Sequence, residues 1–599
     1  MRKLASDLAH LSGERVLVRG WFHALREFGK LSFLLLRDRT GLIQAVIEKK
    51  EEFAKVASLQ PGSILSIVGT VVSSSSSLGF ELSAPEVTVE EAILDVPPIE
   101  YNKPEIPSDL ETILDHRAIA LRNRELQAVF KIQAEIVHAY RLYMHDAVGA
   151  VEYFAPNLIG TSSEGGAEFF HVDYFGYPAT LAQSSQLYKQ IMVGVNERVF
   201  ALMPFFRAEP SHTSRHLSEG KQFEFEMGFF SHWHEILDIQ EGCIKTIVRH
   251  LETHCQKELQ ALGSPLIRAP ENIPFPRLTF AEAQELYFKR TGVDERHEPD
   301  LSPAAERELC RWAREEKDTD LLFVIDWKTE KRPFYAFPKP EAPSLTNTFD
   351  LLCAGTEITS GGQRRHSYAS MLEGLALKKM NPEQFTDYLT IFRYGMPPHG
   401  GFGMGLERLT MTLLRLKNVR EASLFPSDTK RIASNRIKAR IIFGGENIRN
   451  EIMRKCHAEK VSFEHFVHEH AATSEASAAI RGTSLETGVK ALILRGKNSK
   501  KNYQFNILAH SKLDMKVVAQ IVGEKCEFEE PAIIQERFGL IIGGVPPFGN
   551  LINLDNYFDE AIRPLSLVNF NCGLTTESIS MNAQDLARLA DAKWGSFAK

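Results

Sequence analysis

Gly401-Phe402-Gly403-Met404-Gly405-Leu406-Glu407-Arg408 is the stretch on which the reading of the fold turns. It sets small residues before a helix start and an arginine in the first turn. Such a run lets backbone approach a nucleotide closely while the helix start and the guanidinium meet phosphate. The spacing is not GxGxxG, and a plain glycine-rich strand-to-helix turn would carry the same letters. Two upstream segments supply partners for it. Phe206-Arg207-Ala208-Glu209 leads into a polar loop with Arg215 and His216, then into the alternating Gln222-Phe223-Glu224-Phe225-Glu226-Met227. An arginine leaving one strand and a cationic loop returning to the next can cup a polyphosphate, because guanidinium forks match phosphate oxygens. Alone, that segment also describes a hairpin with surface Arg and Glu pairs. Asp350 precedes Glu357-Ile358-Thr359-Ser360-Gly361-Gly362-Gln363-Arg364, and two carboxylates with a hydroxyl are hard oxygen ligands suited to Mg²⁺.

Composition frames these segments. The chain has 599 residues, 43% hydrophobic and 25% charged, which is ordinary for several packed domains and excludes disorder, collagen and coiled coil as the main architecture. No stretch approaches a membrane span and the first residues lack a signal-peptide core, so a cytoplasmic enzyme is expected. The seven cysteines are scattered without a CxxC pair, which suggests neither a disulfide framework nor a zinc site. A net charge of −7 denies a histone-like basic field.

Short β-rich runs between Arg15 and Val89, split by Gly and Pro turn signals, suit a small barrel of the OB type over residues 1–95. Pro97, Pro98, Pro104 and Pro107 mark a semi-rigid hinge linker at 96–112. Leu126, Val129, Phe130, Val137, Tyr140 and Met144 recur at helical spacing and open a mixed α+β domain over 113–430. A second linker is placed at 431–445, and 446–599 alternates helix and strand as one more domain.

The three motifs together resemble class II aminoacyl-tRNA synthetases. Pro156, closing the long helix and its strand, matches the first signature motif, Phe206–Glu209 the second and Gly401–Arg408 the third. The barrel resembles the anticodon-binding domain of the aspartyl, asparaginyl and lysyl subgroup. This resemblance implies an antiparallel catalytic sheet flanked by helices, a homodimer through the first motif, and bent ATP with Mg²⁺. Thr161-Ser162-Ser163-Glu164-Gly165-Gly166, Gln183-Ser184-Ser185-Gln186-Leu187-Tyr188-Lys189-Gln190 and Glu357–Arg364 are similar to aspartyl enzymes of the archaeal and eukaryotic type. Asparaginyl relatives carry an apolar residue where this chain has Lys189.

The roles implied are then specific. Glu164, Gln186, Lys189, Ser360 and Arg364 would bind aspartate. Arg207 would bridge its α-carboxylate and the α-phosphate. Arg207, Glu209, Arg215, His216, Leu217, Glu357, Gly405 and Arg408 would bind ATP. Asp350, Glu357 and Ser360 would hold the metal, and Arg207 and Arg408 would be catalytic. Many aspartyl members have an adenine-stacking aromatic residue where this chain has Gly220, and Phe223 is the substitute that the sequence offers. Phe33 and Gln44, with Arg26, match positions that read the anticodon. His23 and Pro85 match relatives that charge both tRNA(Asp) and tRNA(Asn).

Residues 441–599 lie outside that pattern. His470–Glu475, Gly488–Leu494 and Gly543-Gly544-Val545-Pro546-Pro547-Phe548-Gly549 look like the YbaK/ProX family of trans-editing deacylases. The resemblance implies an α/β domain in which Lys490 is the catalytic residue that holds the aminoacyl-tRNA end. The loop of Gly543, Gly544, Pro546 and Gly549 would line its pocket. The expected activity is an aspartate–tRNA ligase with an appended deacylase domain. The competing readings are an asparaginyl synthetase, a tRNA-independent asparagine synthetase on the same core, and a non-catalytic tRNA-binding protein.

Overall fold

A computed structural model describes residues 1–29, 31–160, 169–209, 213–263, 265–436, 442–471, 478–480 and 482–599. They fall into two compact units, 1–436 and 437–599.

The first unit opens with a barrel of strands Arg15–Phe28, Leu31–Arg37, Leu42–Ile47, Ile64–Ser73 and Phe80–Glu91, closed where the first strand pairs with the fourth. Alternation sorts its faces: Leu34, Leu36, Ile43 and Ala45 fill the barrel core. Arg26 lies opposite Phe33, Phe33 opposite Val46 and Gln44 opposite Leu35, so Arg26, Phe33 and Gln44 share the other face. The proline-rich segment that follows is packed down. Its Ile99, Tyr101 and Ile106 are buried against Ala120, and the Asn123 amide donates to the carbonyls of Tyr101 and Lys103 while its oxygen caps the next helix.

That helix, Arg124–Leu142, buries Val129, Ile132, Ile136 and Tyr140 on one face and ends in a π-turn that buries Met144. It packs on an eight-stranded sheet with the order 277–279, 321–325, 348–353, 356–364, 399–405, 219–228, 198–206, 151–152. The interior pairings are antiparallel and the two edge strands join parallel. Two consecutive helices, Glu235–His254 and Gln256–Leu262, are separate because the backbone leaves helical geometry at the buried Cys255.

The second linker begins inside the first unit rather than beyond it. Arg431 is fully buried, donating to Glu111 Oε2 at 2.7 Å and to the Glu111 carbonyl at 3.0 Å, with Asp115 on its other nitrogen. Charge-assisted bonds of this kind anchor a chain end that composition alone marks as loose.

The second unit has a mixed sheet in the order 526–528, 489–496, 502–508, 555–559, 593–595, and a small antiparallel sheet of 463–467, 577–581 and 568–571. Helices Gly445–Ala458, Pro531–Phe538 and Ala583–Leu589 contribute to its core.

Arg431→Ala should lower stability by about 2 kcal/mol, the order expected for losing hydrogen bonds to charged groups, read as the urea midpoint. The bonds from Arg431, helped by Arg420, hold the Glu111 carboxyl at about 2 against an ordinary 4.5, with burial opposing them. Its contribution is therefore complete above about 4.5 and lost as pH falls toward 2. The gap between wild type and variant should narrow over that interval; a gap indifferent to pH would detach it from Glu111.

Candidate active site

The strand Glu219–Gly228 lies in the interior of the large sheet, and its period of two separates two environments. Phe223, Phe225 and Met227 enter the core. Gln222, Glu224 and Glu226 project from the other face, where a cavity of about 280 Å³ opens. Phe223 is fully buried with its ring 4.2 Å from that of Tyr140, so it cannot serve as the adenine platform that the sequence offers.

Lys189 and Arg364 come together here on opposite sides of Glu226. Lys189, only 1% exposed on helix Gln186–Asn196, donates to Glu224 Oε2 at 2.7 Å and to the Phe402 carbonyl at 3.0 Å, with Glu226 Oε2 3.4 Å away. Arg364, 5% exposed, donates through Nε to Glu226 Oε1 at 2.9 Å and through Nη2 to the Gly401 carbonyl at 3.0 Å. Its Nη1 has no hydrogen-bond partner among the described residues, and the side chain lines the cavity. Burial alone would raise the Glu226 carboxyl, but the fields of Arg364 and Lys189 outweigh it and hold the group below the usual range. Gln186 lines the same cavity, its amide on Gln190 Oε1 at 3.0 Å; Gln190 in turn meets His399 and Tyr388. Burial pushes His399 down to about 4, so its ring is neutral near pH 7.

A second group of cations lines the cavity at Arg207, Arg215, Arg332 and Arg408, with His216 and Leu217. Arg215 is braced by Glu306 at 2.8 Å and by the Gly355 carbonyl at 3.1 Å. Arg408, in the first turn of helix Leu406–Leu413, donates to the Glu357 carbonyl at 3.0 Å. Burial lowers His216, and Arg408 and Arg207 lower it further, which favours the neutral ring. Glu209 is half-buried and does not line the cavity.

The carboxylates Asp350 and Glu357 stand on neighbouring strands, with Ser360 directly opposite Asp350. Sequence reading missed Arg332, which donates to Asp350 Oδ2 at 2.8 Å and Ser360 Oγ at 2.9 Å. Asp350 Oδ1 is buried without a hydrogen-bond partner among the described residues. Burial and then Asp350 push Glu357 up to about 7, against the opposing pull of Arg408 and Arg332.

The glycine run serves the sheet as well as the cavity, which Gly403 and Gly405 both line. Gly401 and Gly403 are inside strand His399–Gly405, where an added Cβ would lie 1.9 Å from the Phe225 carbonyl and 2.0 Å from Gln222 Nε2. Those glycines make room for the protein's own neighbouring strand. Gly405, at the helix start, lines the cavity with ordinary room around it. Glu164, with the rest of Thr161–Gly166, lies outside the described residues.

Sequence reading also gave no role to Glu224 and Glu226, although their signal was present: polar side chains at alternate positions of an otherwise apolar run. Arg332 left no comparable sign, since it sits in a loop at Glu330-Lys331-Arg332-Pro333 that reads as solvated charge.

In the barrel, Phe33 is half-buried outside the core and Gln44 donates to Glu81 at 2.9 Å. Arg26 is exposed. His23 and Pro85 are not brought together. His23 faces a cleft with Arg26, Tyr101, Asn102 and Arg124, while Pro85 lines a smaller one with Val46 and Glu52. Burial and three arginines push His23 down to about 4.

In the second unit, Lys490 donates to the Ala509 carbonyl at 2.7 Å. The loop of Gly543, Gly544, Pro546 and Gly549 is held through its carbonyls by amides from three strands. Asn571 donates to Gly543 at 2.6 Å, Gln504 to Pro546 at 2.9 Å and Asn556 to Pro547 at 3.1 Å. A Cβ on Gly549 would lie 3.0 Å from Asn556. Asn569, two residues before Asn571, donates to Thr487, three residues before Lys490. Of the His470–Glu475 motif, His470 and Ala471 are described; Ala472–Glu475 lie outside.

Known proteins agree with this layout. The family "tRNA synthetases class II (D, K and N)" matches residues 109–429, an "OB-fold nucleic acid binding domain" matches 16–90, and an "Aminoacyl-tRNA editing domain" matches 468–589. The chain is 41% identical over 433 residues to the aspartate–tRNA(Asp/Asn) ligase of Thermus thermophilus, covering 72% of this chain and 100% of that one. It is 36% identical over 428 residues to the aspartate–tRNA(Asp) ligase of Pyrococcus furiosus, covering 70% and 97%. The asparaginyl-tRNA synthetase of Pyrococcus horikoshii with asparaginyl-adenylate superposes with a TM-score of 0.66 at 30% identity, over 72% of this chain and 99% of the other. With a match across more than half its length and relatives covered almost end to end, the chain belongs to the class II tRNA synthetase family of the D, K and N type.

Proposed function

We propose that the protein activates aspartate with ATP and transfers it to tRNA(Asp). One observation carries this reading: the buried Lys189–Glu226–Arg364 array with the Arg364 Nη1 donor beside a second, cationic group of arginines. An aspartate side-chain carboxylate accepts from Arg364 Nη1 beside the ammonium of Lys189. An asparagine amide would turn its own NH₂ toward them, and a polar group left unmatched in a buried site costs orders of magnitude in specificity. The relatives' names, which specify aspartate, support the same choice.

The chemistry needs no protein nucleophile. Arg207 holds the aspartate α-carboxylate against the α-phosphate. A carboxylate oxygen bonds to the α-phosphorus as the bond to the bridging β-phosphate oxygen breaks, and pyrophosphate leaves. The terminal ribose hydroxyl of tRNA then attacks the carbonyl carbon of the mixed anhydride and AMP departs. Arg207, Arg215 and Arg408 position and neutralise the phosphates, and positioning with charge stabilisation dominates such reactions. Mg²⁺ fits the unpartnered Asp350 Oδ1, the raised Glu357 and the remaining lone pair of Ser360, and would supply charge neutralisation on the phosphates. Gln186 would assist in holding aspartate. Glu164 keeps its proposed contact with the α-ammonium, and Glu209 and Leu217 complete the proposed nucleotide set.

In the barrel, Arg26, Phe33 and Gln44 on one face support anticodon reading. His23 and Pro85, with relatives named for both tRNAs, support aspartyl-tRNA(Asn) as a second product. Exposed Phe154, Val151 and Leu142 beside the short edge strand support a homodimer through the first motif. The editing-domain match and the pinned glycine loop support hydrolysis of a mischarged aminoacyl-tRNA, with Lys490 holding its end.

Aspartate should drive ATP–pyrophosphate exchange at least a hundredfold faster than asparagine, and Lys189→Met should abolish the aspartate signal. Equal exchange with asparagine would overturn the amino-acid assignment. In the same assay series, transcripts of tRNA(Asp) and tRNA(Asn) are both charged with aspartate; no acylation of the second ends the two-product reading. Lys490→Ala should slow deacylation of a mischarged tRNA about a hundredfold in the full-length protein while leaving aspartylation intact, and unchanged hydrolysis would reduce the second unit to a tRNA handle. Sedimentation should give twice the chain mass of 67.5 kDa, whereas a single-chain mass would remove the dimer.

A further inference from the structure

Phe205 and Gly220 face each other across strands Arg198–Phe206 and Glu219–Gly228. A Cβ placed on Gly220 would lie 2.7 Å from both Cε1 and Cζ of Phe205 and 3.0 Å from Glu407 Oε2. The Phe205 ring thus fills the space that any side chain at 220 would need. It is half-buried and lines the cavity together with Arg207 and Arg408. The Arg207 guanidinium lies 5.3 Å from its centroid. Phe205 and Tyr335 are the two benzene rings among the described lining residues. Tyr335 stands 5.5 Å from the Arg364 guanidinium, in the part of the cavity assigned to aspartate. That leaves Phe205 as the aromatic face beside the phosphate-binding arginines, since Phe223 is locked in the core.

We propose that Phe205, folded over Gly220, is the platform on which the adenine of ATP stacks. This deepens the ATP-dependent reading above and rests on it. The aromatic surface comes from the strand before the polar loop rather than from the strand after it, and glycine at 220 is what lets the ring lie down. An aromatic face accepts a base without needing hydrogen bonds to it, and stacking of this kind is a substantial part of base binding. The ring is held by its neighbours before the base arrives, so little rotamer freedom is lost on binding.

The test pairs substitutions at the two positions in the full-length protein. Phe205→Leu should raise the KM for ATP in aspartate-dependent pyrophosphate exchange at least about tenfold, while the KM for aspartate stays within about twofold. Phe205→Tyr should retain the wild-type KM for ATP. Gly220→Tyr alone should impair ATP use, because its side chain meets the Phe205 ring. The double variant Phe205→Val/Gly220→Tyr should recover ATP use to within about threefold of wild type by placing a ring from the other strand. An unchanged KM for ATP in Phe205→Leu, or equal rises for ATP and aspartate, would overturn the assignment, as would a double variant no better than Gly220→Tyr alone. Calorimetric binding of ATP alone to the same variants separates the two readings. If wild type shows no aspartate-dependent exchange, the amino-acid reading fails, and a tenfold weaker Kd for ATP in Phe205→Leu still supports the platform, whereas an unchanged Kd overturns it.

Discussion

Burying Lys189 and Arg364 around Glu226 is the constraint from which the rest of the catalytic unit follows. Taking ions out of water costs several kcal/mol each unless geometry and hydrogen bonding are nearly complete. Completion here draws on four elements at once. The helix Gln186–Asn196 supplies the lysine, strand Thr356–Arg364 the arginine, and strand Glu219–Gly228 both carboxylates. Strand His399–Gly405 gives the Gly401 and Phe402 carbonyls. Those carbonyls are reachable because Gly401 brings its strand tight against Phe225, where a Cβ would lie 1.9 Å from the Phe225 oxygen. Sheet register, glycine placement and helix position are thus fixed by one set of ion pairs.

The two halves of the cavity solve electrostatics differently. Around Lys189 and Arg364 the protein's own Glu224 and Glu226 already match the two positive charges, so the selectivity for a carboxylate comes from donor direction rather than surplus charge. Arg364 Nη1, without a hydrogen-bond partner among the described residues, is the donor that this half offers. On the other side, Glu357 sits at about 7 because burial and Asp350 oppose its ionisation more than Arg408 and Arg332 relieve it. That half is out of balance until a ligand arrives: excess guanidinium on one wall suits phosphate, and two crowded carboxylates on the other suit a divalent cation. In the proposed reaction the balanced half selects, and the unbalanced half binds what changes.

Much of this was legible in the sequence, and the boundary of legibility has a physical form. The barrel and the long helix announce themselves because their apolar residues repeat at 2 and 3.6 positions, and Lys189, Arg207, Arg364 and Arg408 stand in contiguous motifs. Residues that act through a fold-level meeting gave weaker signs. Arg332 reaches Asp350 from a loop eighteen positions earlier, and nothing local separates it from a solvated arginine. Arg431 looks like linker charge until Glu111 and Asp115, more than three hundred positions away, are brought to it. The substitute for the missing aromatic at 220 was sought on the same strand, at Phe223. Alternation sends Phe223 to the core face, and only the register across the neighbouring strand brings Phe205 over the gap.

The second unit builds its candidate site from a different material. Its glycine loop is held by the neutral amides of Gln504, Asn556 and Asn571, each donating to a loop carbonyl. Gln504, Asn506 and Asn556 also bond to one another in sequence, so the loop rests on a buried polar ladder rather than on ions. Such a ladder fixes backbone direction without imposing a net field, because amides carry no net charge. The proposed activating site must tell a carboxylate from an amide and does so beside buried, mutually balanced ion pairs. A site proposed to receive an ester already joined to tRNA has no charge to read at the scissile bond, and a rigid, neutral backbone is the simpler means of holding it.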